Sequence, residues 1–317
     1  MVKSSRKSAQ ADPAADVSEL LRREIEEVIA RHSQSIGSYE TAVPGLHVAR
    51  ITRPVPPTTH LSDASVCICV RGAREVAVGD HVWSQDESRF LLSAIGSPAI
   101  VTIPDASPER PYTALRIDLD LDLARQVMAD IDLRGATDET VPPSQLGRVD
   151  RTLLDAVARL VGLIERPGDV PFMSGLIHRE LLYRLLSGPS GHRLRQIVRL
   201  GSQGHRIARA VAWLRSHYQE RLRIEHLASI AGMGVSTLHR HFQELTGMSP
   251  IQYQKHLRLH EARRRLLDDD ADVGTTALGV GYESATQFIR EYRRLFGEPP
   301  LRDVKALRAR GGSPSLV

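Results

Sequence analysis

Two cysteines, Cys67 and Cys69, are all that the 317 residues contain. No disulfide framework therefore holds this fold, and a four-cysteine zinc site is excluded. Long apolar runs are missing as well: no stretch approaches the roughly eighteen residues that a membrane-crossing helix needs. The opening MVKSSRKSAQADPAAD is polar and charged, without the apolar centre of a secretory signal. No Gly-rich phosphate loop and no Ser/His/Asp arrangement emerges. These absences lead to the expectation of a soluble, cytoplasmic protein that is not an enzyme, with no cofactor, no metal and no membrane partner.

Charge is present but unevenly spread. The chain carries +4 overall with an isoelectric point near 9.3. From residue 201 onward 18 Lys and Arg stand against 12 Asp and Glu, whereas the first 200 residues hold 24 and 26. A basic C-terminal part beside a near-neutral N-terminal part fits a polyanion-binding module attached to something else. The length allows two domains of ordinary size.

Residues 1–16 read as a disordered tail. VSELLRREIEEVIARHS then places Leu20, Leu21, Ile25, Val28 and Ile29 at helical spacing. From about Thr41 short Val/Ile/Leu-rich runs follow (HVARI, SVCICVRG, REVAVGDHVW, RFLLSAI, AIVTI, TALRIDLDL), separated by Pro, Gly, Asp and Ser. That pattern predicts antiparallel strands in a small sandwich or barrel over 41–122, with a hairpin at Gly79-Asp80. Beyond Leu123 the period turns helical, with apolar stripes in Arg151–Glu165 and Ser174–Gly188 that pair either between subunits, as a homodimer, or against their own barrel. SGPSGHRL and RLGSQGHR read as loops, which sets a domain boundary near 188–205. The expected units are thus a tail at 1–16, an N-terminal domain at 17–200, a helical domain at 201–305 and a C-terminal tail at 306–317. The fold class is α+β.

The C-terminal part repeats itself. ASIAGMGVSTLHRHFQELTG (228–247) and ALGVGYESATQFIREYRRLFG (277–297) share a small residue, a glycine four on, an apolar anchor (Leu238, Phe288) and an aromatic four further (Phe242, Tyr292). Leu245, Gly247 and Pro250 then match Leu295, Gly297 and Pro300, and only the turn differs, by one residue in the second copy. A fixed-spacing repeat is one supersecondary unit used twice. Ala228 and Ala277 let two helices approach, Gly232 and Gly281 supply a left-handed turn, and Ser236 and Ser284 stand where a second helix begins and can be capped. This is the plan of a helix-turn-helix. Between the copies, Ile251, Tyr253, Leu257, Leu259, Ala262 and Leu266 mark an amphipathic linker helix.

With the inward stripe fixed, the outward residues follow. They are Ser236, Thr237, His239, Arg240 and Gln243 in the first unit, and Ser284, Ala285, Thr286, Gln287 and Arg290 in the second. Arginine bonds guanine bidentately, glutamine bonds adenine, and Ser or Thr reaches base edges or phosphates. Recognition helices at about 236–246 and 284–296 would enter successive major grooves of double-stranded DNA. The plain alternative is solvated helix surface.

On these residues the stretch 206–303 resembles the DNA-binding domain of the AraC (arabinose-operon regulator) family of bacterial transcription factors. The likeness rests on IEHLASIAGMGVSTLHRHFQELTGMSPIQYQKHLRLHEARRRLL and ALGVGYESATQFIREYRRLFGEPP. Gly234 departs from a frequent serine, and Gly274 and Gly279 loosen the second unit's first helix by about 1 kcal/mol each. TAVPGLHVARI, VCICVRGAREVAVGDHVW and DASPERPYTALRIDLDLD are similar to the cupin-like N-terminal domain of one branch of that family. The resemblance implies an N-terminal sensor or dimerisation domain, with operator DNA as partner and RNA polymerase and a small-molecule effector as candidate partners.

Other readings of the N-terminal half stay open. A catalytic cupin would carry a compact His-x-His, whereas His47, His60 and His81 are scattered and read as solvent-facing. Asp118, Asp120 and Asp122 are expected on one strand face, as a solvated edge. Cys67 and Cys69, at i and i+2 on a strand, point to one face together with Arg71 and form a candidate redox sensor or alkyl acceptor. Against that, free cysteines commonly serve as small buried hydrophobes.

Overall fold

The structure is a computed structural model that describes residues 13–32, 37–61, 64–78, 81–93, 98–131, 144–199, 201–268 and 271–309. Helix α1 (Pro13–His32) comes first. The strands β1 (Gly37–Glu40), β2 (Leu46–Ile51), β3 (Val55–Leu61), β4 (Ser65–Arg71), β5 (Arg74–Val78), β6 (His81–Gln85), β7 (Arg89–Ser93), β8 (Pro98–Ile103) and β9 (Tyr112–Asp118) follow. Helix α2 (Leu121–Asp130) precedes a last strand, β10 (Ser144–Arg148). The remaining helices are α3 (Arg151–Gly162), α4 (Val170–Ser187), α5 (His192–Arg199), α6 (Gly201–Ser216), α7 (Ile224–Ala231), α8 (Val235–Thr246), α9 (Pro250–Asp268), α10 (Val273–Gly279), α11 (Ala285–Phe296) and α12 (Pro300–Ala309). The α+β class expected from the sequence is what forms.

Two sheets face each other, one six-stranded in the order β1-β2-β9-β4-β7-β10, the other four-stranded in the order β3-β8-β5-β6. Alternation decides what goes where. Ile51, Cys69, Leu91, Tyr112 and Ala114 of the larger sheet meet Val76, Val78, Val101 and Ile103 of the smaller one. Val48, Val66, Ile68, Leu115 and Ile117 point the other way, under Ile25 and Ile29 of α1 and under α3 and α4. Both apolar stripes of α3 and α4 are used in this way within their own domain: Leu154, Val157, Leu160 and Val161 are buried, as are Ile177, Leu181, Leu182, Leu185 and Leu186. The opposite side of α4 leaves Phe172, Leu176 and Tyr183 exposed.

Several local expectations change. β3 contains Pro56 and Pro57, which is tolerable because it is the edge of its sheet, where a missing N–H breaks no ladder. β10 carries little strand signal, yet it pairs with β7, and Gly147 leaves room for the Phe90 ring where any Cβ would collide. The glycine-containing stretches 188–205 are largely helical, because Leu194, Ile197, Val198 and Ile207 are buried and packing outweighs the propensity cost. Asp118, Asp120 and Asp122 do not share a strand face: Asp118 ends β9, Asp120 caps α2 by accepting from the N–H groups of Asp122 and Leu123, and Asp122 is in that helix's first turn. The Gly79-Asp80 turn lies outside the described residues.

In the C-terminal half two small cores sit on one helix. Tyr253 and Leu257 of α9 pack with α6, α7 and α8. Leu259, Ala262 and Leu266 pack with α10, α11 and α12. Residues two apart on a helix cannot share a face, so Leu257 and Leu259 serve different cores and α9 is buried on two sides. Ile251, expected inward, is 48% exposed.

Candidate nucleic-acid interface

The turn is built twice in the same way. Gly232 (φ 62°) and Gly281 (φ 93°) both take the left-handed conformation. The Met233 N–H donates to Ala228 O at 2.9 Å, and its counterpart Tyr282 N–H donates to Ala277 O at 3.0 Å. Helix α8 then starts from Gly234, which offers no side-chain cap, so Ser236 is not the cap that its position suggested but a residue inside the first turn. Helix α11 starts from Ser284, whose hydroxyl accepts from the Gln287 N–H, as expected.

Counted from these two caps the helices run in register. Leu238 and Phe242 are buried, as are Phe288 and Tyr292, and Arg240 and Arg290 hold the same place. The structure leaves Ser236, Arg240, Gln243, Ser284, Thr286, Gln287 and Arg290 exposed, with Thr237 and His239 half-buried. In this state Arg240 is tethered, its Nη1 donating to Glu244 Oε1 at 3.3 Å and its Nη2 lying 3.0 Å from His241 Nε2. Gln243 Nε2 donates to Gly247 O at 2.9 Å at the end of its helix. Among the described residues nothing pairs with Arg290. Two exposed arginines escaped the sequence reading, Arg293 and Arg294 of α11. Register was the signal that would have found the first, because Arg293 stands where Gln243 stands in α8.

What fixes the two helices relative to each other is more than a rod. Helix α9 has 19 residues, a length of about 28 Å. Midway along it, Gln254 and Arg258 reach back to the loop after α6. Gln254 Nε2 donates to Tyr218 O (3.1 Å) and Glu220 O (2.8 Å). Arg258 donates to the carbonyls of Tyr218 (2.6 Å), Gln219 (3.2 Å) and Glu220 (2.8 Å). The Gly281 turn of the second unit closes on the same loop, for a Cβ there would lie 2.9 Å from the Gln219 Cα. Helix α11 is tied to the linker by Lys255 Nζ and Glu291 Oε1 at 2.8 Å, while Glu291 Oε2 accepts from Tyr282 Oη at 2.9 Å. Burial pushes Glu291 up, but the bonds from Lys255, Tyr282 and Gln287 outweigh it and hold the carboxyl below its ordinary range.

The outer ends are anchored by arginines. Arg193 is fully buried and donates to Glu244 O and Leu245 O in the last turn of α8, where the helix dipole favours positive charge. Arg263 forks onto Asp303 with both bonds at 2.8 Å, and Tyr292 Oη donates to the same carboxylate at 2.7 Å. The guanidinium also donates through Nη1 to Pro57 O of the β-domain at 2.6 Å and covers the Phe296 ring at 4.3 Å. One side chain thus joins the linker helix, α11, α12 and strand β3.

The cysteines and histidines of the β-domain part ways. Cys67 and Cys69 do share the inter-sheet face. Arg71 does not join them: the ladder slips between Cys69 and Arg71, a bulge that turns the arginine outward to Glu19 and Glu26 of α1. Burial pushes the Cys69 thiol up to about 12, and the thiol donates to Gly72 O at 3.0 Å, so at neutral pH it is not a nucleophile. His81 is exposed, but His47 is buried, with Nε2 2.9 Å from Asp118 Oδ2, against the expectation that it faces solvent. Among the described residues no group of three or more His, Cys, Asp or Glu is placed to hold a metal, and no helix is long and apolar enough to cross a membrane.

A strand-built domain joined to paired helix-turn-helix units on a shared helix defines the class of this protein. Residues 42–193 match the family model of the AraC-type transcriptional regulator N-terminus, and residues 227–305 match a helix-turn-helix domain model. The chain is thus similar to AraC-type transcriptional regulators in both of its halves. It is 30% identical over 174 residues to the HTH-type transcriptional activator RhaS of Salmonella schwarzengrund (strain CVM19633), an alignment that takes in 53% of this chain and 62% of that protein. The chain thus spans about three fifths of the length of the curated relatives it matches. Among solved structures it is similar to the DNA-binding domain of AdpA, a global transcriptional factor in complex with a target DNA. That likeness has 34% identity over 33% of this chain and 95% of the other, with a TM-score of 0.32. It is also similar to ToxT from Vibrio cholerae O395, at 10% identity over 83% of this chain and 97% of the other, with a TM-score of 0.46.

Proposed function

We propose that this chain is a sequence-specific DNA-binding transcriptional regulator that lays α8 and α11 into successive major grooves of one duplex. The observation that carries the proposal is the common register of the two helices. Arg240 and Arg290 occupy the same exposed place, six residues after Gly234 and Ser284 where the two helices start, and a single helix and a single loop hold the two units together. Ser236, Thr237, His239, Arg240 and Gln243 serve one half-site. Ser284, Thr286, Gln287 and Arg290, joined by Arg293, serve the other. Phosphate contacts from the arginines supply affinity, and bidentate base contacts supply sequence preference. The β-domain acts as the effector-responsive part, coupled through Arg263 and Pro57, and the chain performs no catalysis.

A mobility shift with the promoter fragment upstream of the chain's own gene tests this. A specific complex is expected that weakens steeply between about 50 and 200 mM salt, with a slope near −0.9 per phosphate contact. A protein that binds no fragment, or binds all fragments alike, is not this regulator.

A further inference from the structure

The common register of α8 and α11 also shows where the two helices differ. Gly234 and Ser284 start them, so Arg240 stands against Arg290, His241 against Glu291 and Glu244 against Arg294. Four residues after the recognition arginine, one helix carries a carboxylate and the other a second cation.

In α8 three side chains close a ring. Glu244 Oε1 accepts from Arg240 Nη1 at 3.3 Å, Glu244 Oε2 lies 2.9 Å from His241 Nδ1, and His241 Nε2 lies 3.0 Å from Arg240 Nη2. A carboxylate only accepts and a guanidinium only donates. The imidazole is therefore neutral, donates from Nδ1 and offers its Nε2 lone pair to the arginine. That ring is 4% exposed. The backbone beneath Glu244 is fixed as well, because Arg193 donates to the carbonyls of Glu244 at 3.2 Å and Leu245 at 3.3 Å. Arg240 is exposed, yet two of its nitrogens are held from a rigid base.

In α11 the matching places do other work. Glu291 turns to Lys255 of α9 and to Tyr282. Arg290 and Arg294 are both exposed, and among the described residues nothing pairs with either. An arginine without restraint can turn from a wrong base to a phosphate and keep part of its binding energy. One held by two acceptors cannot, so its preference is sharper.

Resting on the regulator reading above, we propose that Glu244 and His241 are positioning residues that aim Arg240 and make α8 the more discriminating helix, whereas Arg294, in the place of Glu244, makes α11 the helix that grips phosphate.

The test is base preference of the full chain, read by competitive selection from randomised duplexes, together with its affinity for one random-sequence duplex. The parent should show sharper preference in the stretch that Arg240→Ala relaxes than in the stretch that Arg290→Ala relaxes. Glu244→Gln should lower preference about 2- to 5-fold in the first stretch only, the scale of an exposed ion pair. It should also bind the random duplex more tightly, because one carboxylate fewer faces the phosphates. Glu244→Asp keeps the charge but falls one methylene short, so it should lower the same preference without that gain. His241→Asn, whose amide reaches Glu244 but not Arg240, should relax the same stretch. In an Arg240→Ala background Glu244→Gln should change preference no further, which a merely structural role for Glu244 would not produce. Arg294→Gln should weaken all sequences alike and flatten the salt slope by about 0.9. Should Glu244→Gln fail to fold, Glu244→Asp alone decides the matter. Undiminished preference in the Glu244 variants, a loss spread over both stretches, or a loss that persists without Arg240 overturns the inference. A parent without any base preference refutes the regulator reading itself, whereas a preference that Arg240→Ala relaxes and the Glu244 variants leave intact refutes the positioning role alone.

Discussion

Alanine at Gly281 should cost far more than alanine at Gly232, although the two glycines hold the same place in the repeat. Both take the left-handed backbone, at φ 93° and φ 62°, and that conformation alone costs a residue with a Cβ roughly 1–2 kcal/mol. Around Gly232 nothing lies within 4 Å of where the Cβ would stand. Around Gly281 the backbone of Gln219 closes in, with its carbonyl carbon and Cα both 2.9 Å away. That backbone cannot yield freely, because Gln254 and Arg258 hold the Tyr218–Glu220 carbonyls from α9. Overpacking of this kind adds roughly 1–3 kcal/mol. Gly281→Ala is therefore expected to lose about 2–5 kcal/mol and Gly232→Ala about 1–2. Urea denaturation of both variants, followed by far-ultraviolet circular dichroism, measures the difference. Equal losses, or a larger loss at Gly232, would show that the two units do not meet at the Gln219 loop and would refute the reasoning.

Other consequences can be measured on the same protein. Asp303→Ala strands Arg263 in a buried position and removes the acceptor of Tyr292 Oη. It should cost about 3–5 kcal/mol in denaturant titration, whereas loss of a surface ion pair such as Arg23–Glu19 should cost under about 1 kcal/mol. His260 is held neutral well below the ordinary histidine range, first by burial and then by His256 and Arg263. The unfolded chain takes up that proton near pH 6.5 and the folded chain does not. The contribution of His260 is thus fully present above about pH 6.5 and is lost as pH falls below it, at up to roughly 1.4 kcal/mol per pH unit. His260→Leu should flatten the acid limb of stability against pH, and an unchanged slope would contradict the burial of a neutral ring.

The helix-turn-helix half was legible because periodicity and turn chemistry are local. Leu238/Phe242 and Phe288/Tyr292 fix the inward face, Gly232 and Gly281 fix the turn, and the outward residues follow by exclusion. Ser236 misled because the cap falls two residues earlier, at Gly234, which has no side chain to announce it. What the sequence hid is what depends on distant partners. Gln254 and Arg258 read as solvated faces of an amphipathic helix until the 218–220 loop is seen beneath them. Arg263 looks like one of three consecutive surface arginines, yet it is buried against Asp303, forty residues away. Among the strands, β3 was masked by its two prolines and β10 by its weak composition, and both become strands because a neighbour supplies the ladder. The bulge that parts Arg71 from Cys67 and Cys69 is likewise invisible to strict alternation.

The most direct measurement is the base preference of the wild-type chain, Arg240→Ala and Arg290→Ala at every position of a bound site, read by competitive selection from randomised duplexes. Two separate stretches of preference are expected, one helical turn or about 10 base pairs apart. Arg240→Ala should relax preference by roughly 1–3 kcal/mol within one stretch only, and Arg290→Ala should do so within the other only. Should both variants instead weaken binding evenly on all sequences, or act on the same stretch, then α8 and α11 do not read successive grooves.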